Sequence, residues 1–233
     1  VTLLIRKDRV LSTWERRASM TLTRELKRRG VNVIARTAVD RVDTGANLGA
    51  TVHYRQGDSD EDRTAYGEVV LAAIGRVPNT DADWFRSSGL KLDERGYVTV
   101  DGYGRTNLDG VWALGDITPG HALAHRAFEQ GITIAEKIAG ADPKPVLDDT
   151  VPQVVFSFPE AASVGLTLDQ AKAREDVVEP KETAYPMLSN ARMLMSGEGG
   201  SMTVVSGAFA NNPDMQVVLG VHIVSPIASD LIA

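Results

Sequence analysis

The run Tyr103-Gly104-Arg105-Thr106-Asn107-Leu108-Asp109-Gly110-Val111-Trp112-Ala113-Leu114-Gly115-Asp116 holds the residues best spaced for chemistry. It reads as a turn from Asn107 to Gly110, a short buried strand from Val111 to Leu114, and Gly115-Asp116 where that strand stops. A carboxylate at the C-terminal end of a buried strand stands where open α/β sheets bind ligands. Gly115 lets a ligand approach the backbone, and Asp116 offers two acceptor oxygens to a polyol. A loop, Ile117 to Gly120, then leads into a long apolar helix whose N-terminus favours negative charge. An acid for hydroxyls beside a helix start for an electron-rich group describes a cofactor site.

These residues carry a resemblance. Thr106 to Asp116 resembles the second flavin fingerprint of the FAD-dependent pyridine-nucleotide disulfide oxidoreductases, in which the fingerprint Asp binds the ribityl chain of FAD. Gly120-His121-Ala122-Leu123-Ala124-His125-Arg126-Ala127 is similar to the Gly-Pro-Met-Leu-Ala-His-Lys-Ala run of dihydrolipoamide dehydrogenases, with His121 in place of a proline. The resemblance therefore implies FAD contacts at Gly115, Asp116, Ala122, Leu123, Ala124 and His125. Gly75-Arg76-Val77-Pro78-Asn79 is similar to the family's return from nucleotide to flavin domain, which adds Gly75 and Arg76 to the cofactor-binding set. Gln153 to Thr167 resembles the entry of the interface domain, and Ser189-Asn190-Ala191-Arg192 its Asn-x-Arg-Ala stretch.

The bulk composition bounds this. The chain has 233 residues, 43% of them apolar, and a net charge of −6. It has core enough for a globular protein and no general attraction for nucleic acid or anionic membrane. No apolar run approaches the roughly 20 residues of a membrane span. There is no cysteine, so no disulfide, thiolate metal site or cysteine nucleophile can be built from this chain. No metal site is expected, and the localisation expected is cytoplasmic. Both ends look cut, since Val1 opens a strand and Ala233 closes a helical pattern that has no stop signal.

The positioning elements follow from periodicity. Val1 to Ile5 predicts a strand. Ser12-Thr13-Trp14-Glu15 fits a capping box before a helix with Trp14, Ala18, Leu22 and Leu26 on one face, and Gly30 stops it. Val31 to Ala35 is the next strand, making a βαβ unit of a parallel sheet. Val39–Val42, Ala50–Arg55 and Glu68–Ala73 read as shorter strands around a charged turn, Asp58 to Arg63. Ala82 to Leu90 suggests a short helix, and Tyr97 to Val100 a strand. The helix after the fingerprint carries Leu123, Ala127, Gly131, Ile134, Ala135 and Ile138 on one broad face. Asp142 to Thr150 is the linker. Beyond it come a short helix, Leu168–Ala173, antiparallel strands Met202–Phe209 and Val217–Ile223 joined at Asn211–Asp214, and a helix from Pro226.

The fold class is thus α/β with α+β: Rossmann-like FAD- and NAD(P)-binding segments followed by an α+β interface domain. Residues 1–74 read as the later part of an NAD(P)-binding domain, 75–149 as a flavin-domain segment, and 150–233 as a truncated interface or dimerisation domain.

Nucleotide choice stays open between NAD and NADP. Rossmann units read the ribose at the end of the second strand, where an acid selects NAD and basic residues accommodate a 2′-phosphate. Ile5 occupies the acidic position here, followed by Arg6 and Lys7. Dihydrolipoamide dehydrogenases carry Glu there, whereas glutathione-reductase-like NADPH enzymes place Arg after such an Ile. Arg6, Lys7 and Val39 complete the cofactor-binding set. The pyrophosphate loop would precede Val1; Gly45-x-x-x-Gly49 and Gly197-x-Gly199-Gly200 do not lie between a strand and a helix.

The resemblance implies hydride transfer between NAD(P)(H) and FAD, and electron exchange with a disulfide or lipoyl-type dithiol, in a homodimer. The redox dithiol and the family's His-Pro-x-x-x-Glu acid/base motif do not occur in this chain, so no catalytic residue is assigned within it. His222 reads as structural and His53 as a lone strand histidine; His121 and His125 belong to the cofactor environment. One alternative is a reductase of the same fold that passes electrons to a quinone or another small acceptor. A non-catalytic nucleotide-binding or oligomerisation module is the other.

Overall fold

A computed structural model describes residues 1–45, 49–197 and 199–232. The middle of the Gly45–Gly49 run, position 198 of the Gly197–Gly200 run, and Ala233 lie outside the described residues. The chain divides into two compact units, one of residues 1–72 with 152–233 and one of residues 73–151.

The first unit opens with β1 (Thr2–Ile5), α1 (Arg16–Arg28) and β2 (Asn32–Ala35). β1 and β2 pair in parallel from Thr2↔Asn32 to Ile5↔Ala35, the expected βαβ arrangement. Capping of α1 differs from the sequence expectation. Glu15 itself is the N-cap, its carboxylate accepting from the N–H groups of Arg17 (2.6 Å) and Ala18 (2.7 Å). Ser12 is held in the preceding turn, where its carbonyl accepts from Arg9 Nη2 at 2.9 Å. Ala18 and Leu22 of α1 are buried with Val10, Ala161 and Val224, and Trp14 and Leu26 pack at the edge of that core. A side chain such as Leu22 contributes about 1.5–3 kcal/mol when fully buried.

Next comes an antiparallel meander of β3 (Thr37–Thr44), β4 (Ala50–Gln56) and β5 (Arg63–Gly67). Val52 and Tyr54 are buried, while His53 between them faces the other way. His53 is not the lone histidine its sequence context suggests. Its Nε2 lies 3.0 Å from Asp43 Oδ2 and its Nδ1 3.0 Å from Asp62 Oδ2. The expected strand Glu68–Ala73 does not form. Arg63 leaves the charged turn early enough to pair directly back onto β4. The apolar run after Gly67 has no strand beside it among the described residues, and Leu71 is 87% exposed.

Residues 73–151 form the second unit, with α2 (Asp83–Ser87) on a core of Phe85, Val98 and Ala113, and α3 (Ala124–Ile138) as its long helix. The expected strands Tyr97–Val100 and Val111–Leu114 shrink to isolated bridges, Leu92↔Val98 and Arg105↔Trp112. Val111–Leu114 is hydrogen-bonded on one side, through Ala113 N–H to the Gly104 carbonyl (2.9 Å) and Thr106 N–H to the Val111 carbonyl (3.1 Å). Ala113 is buried, but Val111 and Leu114 stay partly exposed, so the strand is not the buried one expected. The broad apolar face expected of α3 is also corrected. α3 buries Arg126, Thr133 and Ile134, and leaves Ile138 exposed. A Cβ on Gly131 would meet only Leu114 Cδ2 at 4.0 Å, so close packing does not demand glycine there.

Residues 152–233 return to the first unit as a five-stranded sheet. Its elements are β6 (Gln153–Val155), β7 (Glu160–Gly165), α4 (Leu168–Ala173), β8 (Val177–Pro186), α5 (Ala191–Ser196), β9 (Ser201–Phe209), β10 (Asn212–Ser225) and α6 (Ala228–Ile232). The strand order is β6-β7-β10-β9-β8, antiparallel throughout. β10 begins at Asn212, paired with Phe209, so the connection is shorter than the expected Asn211–Asp214 turn. Among the described residues no helix is long and apolar enough to cross a membrane, and no group of three His, Cys, Asp or Glu side chains can hold a metal.

His222 sits at the centre of this sheet, 1% exposed. Its Nε2 lies 3.2 Å from the Leu166 carbonyl and its Nδ1 2.7 Å from Ser163 Oγ. A carbonyl only accepts, so Nε2 carries the proton and Nδ1 accepts from the serine hydroxyl. Burial pushes the imidazole below its ordinary value of 6.5. The folded state then binds fewer protons than the unfolded state just below pH 6.5, so stability rises with pH in that window. Unfolding by urea is expected to need less denaturant as pH falls from about 6.5 towards 5, and His222→Gln is expected to flatten that dependence.

Candidate functional site

Gly115 starts the site. Leu114 is extended, and Gly115 turns the chain with φ +73°, a left-handed conformation that costs other residues about 1–2 kcal/mol. The 3-10 turn Gly115–Ile117 follows. Gly115 N–H donates to Gln130 Oε1 at 2.9 Å, and its carbonyl accepts from Thr118 N–H (3.0 Å) and Thr118 Oγ1 (2.8 Å). A Cβ on Gly115 would come within 3.4 Å of the Ala127 Cβ. The turn is therefore seated on the first two turns of α3, through Ala127 and Gln130.

Asp116 stands at the tip of that turn with its carboxylate half exposed. Arg76 Nη2 lies 3.5 Å from Asp116 Oδ2. Both groups are in solvent, and such a pair is worth about 0–1 kcal/mol, little enough for a ligand hydroxyl to displace. Arg76 follows Gly75, which has φ +136° and open space around it. The turn after it is pinned by Thr80 Oγ1, which donates to the Gly96 carbonyl at 2.6 Å.

Ala122, Leu123, Ala124 and His125 form the entry to α3. Leu123 is the N-cap, and its side chain makes no capping hydrogen bond. An uncapped helix start presents N–H donors and the positive end of the dipole together. Ala122 in the loop and His125 on the first turn of α3 are exposed, and Leu123 is half-buried. Gly75, Arg76, Gly115, Asp116 and residues 122–125 thus belong to one unit, with the acid and the helix start joined by the seated turn. A polyol fits the carboxylate, and an electron-rich ring edge fits the helix start.

Arg6, Lys7 and Val39 belong to the other unit. Ile5 packs into the core of that unit, and Arg6 and Lys7 follow it as exposed cations with no ion pair among the described residues. Arg9 differs: it is bound to Asp8 (2.9 Å) and to the Ser12 carbonyl. The Lys7 carbonyl accepts from Arg36 N–H at 2.9 Å, which fixes the loop at the end of β1. Val39 is half exposed on β3, opposite Tyr54.

Sequence reading missed Gln130, Thr118 and Arg126. Gln130 is a polar residue on the side of α3 that meets Gly115, and Arg126 is a charged residue in an otherwise apolar helix start. A polar group interrupting an apolar face is the signal that points to them.

Comparison with known proteins identifies the family and the fold. The chain is 38% identical over 212 residues to a dihydrolipoyl dehydrogenase of Cupriavidus necator, covering 90% of this chain and 42% of that protein. It is 37% identical over 239 residues to a dihydrolipoyl dehydrogenase of Geobacillus stearothermophilus, covering 100% of this chain and 47% of that one. The crystal structure of LpdA from Mycobacterium tuberculosis superposes with a TM-score of 0.84 at 31% identity, over 100% of this chain and 48% of LpdA. The chain spans about half the length of the relatives it matches. Residues 151–233 match the dimerisation domain of the pyridine nucleotide-disulphide oxidoreductases. Residues 1–131, which contain Arg6, Arg76, Asp116 and the start of α3, match that family's main sequence pattern, and the chain belongs to the pyridine nucleotide-disulphide oxidoreductase family.

Proposed function

We propose that the whole protein is an FAD-dependent oxidoreductase of the dihydrolipoyl dehydrogenase type, passing a hydride between NAD(P)(H) and flavin and electrons between flavin and a lipoyl-type dithiol. The observation that carries this is the Gly115–Asp116 turn seated on the uncapped start of α3, in a chain of this family. FAD, when bound, supplies the two-electron redox chemistry. The chain's own residues bind and orient. Asp116 would accept from ribityl hydroxyls in place of its exposed contact with Arg76. The start of α3 at Ala122–His125 would hold the electron-rich edge of the ring and stabilise negative charge there. The dithiol reading is preferred over a quinone acceptor because the curated relatives are named dihydrolipoyl dehydrogenases.

In this reading residues 1–74 are the later part of the nucleotide domain, 75–149 a flavin-domain segment and 150–233 the interface domain. The breaks of the structure at 72/73 and 151/152 lie close to these bounds, with residues 1–72 and 152–233 packed as one unit.

A charge-assisted hydrogen bond is worth about 1.5–3 kcal/mol. Asp116→Ala in the full-length protein is therefore expected to weaken FAD retention about tenfold or more, read from flavin fluorescence on dilution. Unchanged affinity with a normal flavin spectrum would remove Asp116 from the site.

The match of residues 151–233 to a dimerisation domain supports a homodimer. Sedimentation of the full-length protein is expected to give a dimer at micromolar concentration; a monomer would contradict this.

Ile5 cannot accept from a ribose 2′-OH, and Arg6 and Lys7 can donate to a 2′-phosphate. The enzyme is expected to accept NADPH at least as well as NADH, and Arg6→Glu to shift preference towards NADH by about tenfold, on the order of 1 kcal/mol per screened phosphate contact. The measurement is kcat/KM for both nucleotides. A wild type that strongly prefers NADH, unmoved by the substitution, would mark Arg6 and Lys7 as a solvated loop.

A further inference from the structure

Arg126 is the one charged side chain buried in the unit of residues 73–151 among the described residues. It lies on the first turn of α3, with 7% of its side chain exposed. Nε donates to Asp148 Oδ1 at 2.6 Å, and Nη2 donates to the Pro119 carbonyl at 2.6 Å. Nη1 is buried and meets no acceptor among the described residues. The guanidinium therefore ties three places together: the helix start, the beginning of the loop Pro119–Leu123, and the 3-10 turn Asp148–Thr150.

Gly120 closes around this tie. Its φ is +119°, and a Cβ there would overlap both the Arg126 guanidinium and the Asp148 carboxylate. Within the loop, Leu123 N–H donates to the His121 carbonyl at 3.0 Å. A planar fork can serve Asp148 and Pro119 at once, which a lysine ammonium on a flexible stem does less well. Burying a cation is costly, and apolar packing would anchor a loop at lower cost. A charge kept here points to a use for the charge.

We propose that Arg126 is a positioning residue of the flavin site. It fixes the Pro119–Leu123 loop, and with it the uncapped start of α3, against the Gly115–Asp116 turn, and its charge adds to the positive end of the helix. The inference rests on the flavin reading of Asp116 and α3.

The test uses the full-length flavoprotein and three readouts: FAD retention, the visible spectrum of bound flavin, and its midpoint potential. Arg126→Met is expected to weaken FAD retention tenfold or more, shift the visible bands and lower the midpoint potential. Arg126→Lys, which keeps the charge, is expected to restore part of the potential. Asp148→Asn, which loosens the same tie, is expected to weaken FAD retention and shift the bands in a protein that still folds, so it decides the matter should Arg126→Met fail to fold. Thr150→Val removes the bond from Thr150 Oγ1 to the Leu147 carbonyl in the same turn and is expected to leave the flavin unchanged. Arg126→Met and Asp148→Asn with wild-type retention, spectrum and potential would overturn the proposal, even with lowered thermal stability, and would leave Arg126 a structural anchor. A wild type that binds no flavin would instead overturn the flavin reading itself, and this inference with it.

Discussion

The candidate site depends on the hydrogen bond from Gly115 N–H to Gln130 Oε1. At φ +73° the chain leaves its extended path, and the Gly115 N–H can no longer join a ladder. A buried donor left unpaired costs about 1–3 kcal/mol. Gln130, two turns into α3, takes it, and Thr118 takes the carbonyl on the other side. Because both backbone groups of Gly115 are spoken for, the turn has one place to sit, and Asp116 has one direction to point. The acid and the helix start are thereby fixed to each other by a side chain that itself belongs to neither.

The rest of the 73–151 unit follows the same economy. Its core is small, Phe85, Val98 and Ala113, and it contains bridges rather than ladders. Side chains do the work that a sheet does elsewhere. Asp93 Oδ1 accepts from Arg95 and Tyr97 N–H groups, both at 2.9 Å. Asp101 Oδ1 repeats the device on Tyr103 (2.8 Å) and Arg105 (2.9 Å). Asn107 joins Gly89 and Lys91 across the unit. Such Asx turns set local geometry with few residues, which suits a unit whose task is to hold one turn against one helix. The five-stranded sheet is built the other way, from antiparallel ladders around a buried His222 and Val205.

How much of this was legible in the sequence depended on whether the signal was local. The βαβ opening was legible because Ala18 and Leu22 recur at helical spacing and Gly30 ends the helix. The turn that carries Asp116 was legible because Gly-Asp after a short apolar run is a local pattern. The strand character of Val111–Leu114 and Glu68–Ala73 was overread, because apolar runs announce burial while a strand also needs a neighbour for its backbone. The partners of His53 were invisible, since Asp43 and Asp62 come to it only through the pairing of β3 and β4 and the turn beyond. Gln130 and Arg126 were missed for the same reason. Their polar character stands out on α3, but their partners, the Gly115 and Pro119 backbone and the distant Asp148, come to them only through the fold.

The cations after β1 show how local bonding narrows a choice that composition leaves open. Arg6, Lys7 and Arg9 are three positive charges within four positions, and each is a candidate for a phosphate. Arg9 is spent, since it pairs with Asp8 and donates to the Ser12 carbonyl that shapes the turn into α1. Arg6 and Lys7 remain exposed, on a loop steadied by the Arg36 bond to the Lys7 carbonyl. At about 4 Å a unit charge pair is worth about 1 kcal/mol in bulk water and about 4 kcal/mol near a protein surface. Exposed charges lose much of this to salt beyond a Debye length of about 8 Å. In the proposed reading, two unspent cations on a fixed loop, with an apolar Ile5 where an acid would repel, would supply selectivity of a few kcal/mol at most, which is enough to reverse a nucleotide preference and too little to abolish binding of the other nucleotide. Specificity at this strand end is a balance of small screened terms, unlike the Gly115 turn, where a single unpaired donor would disorganise the site.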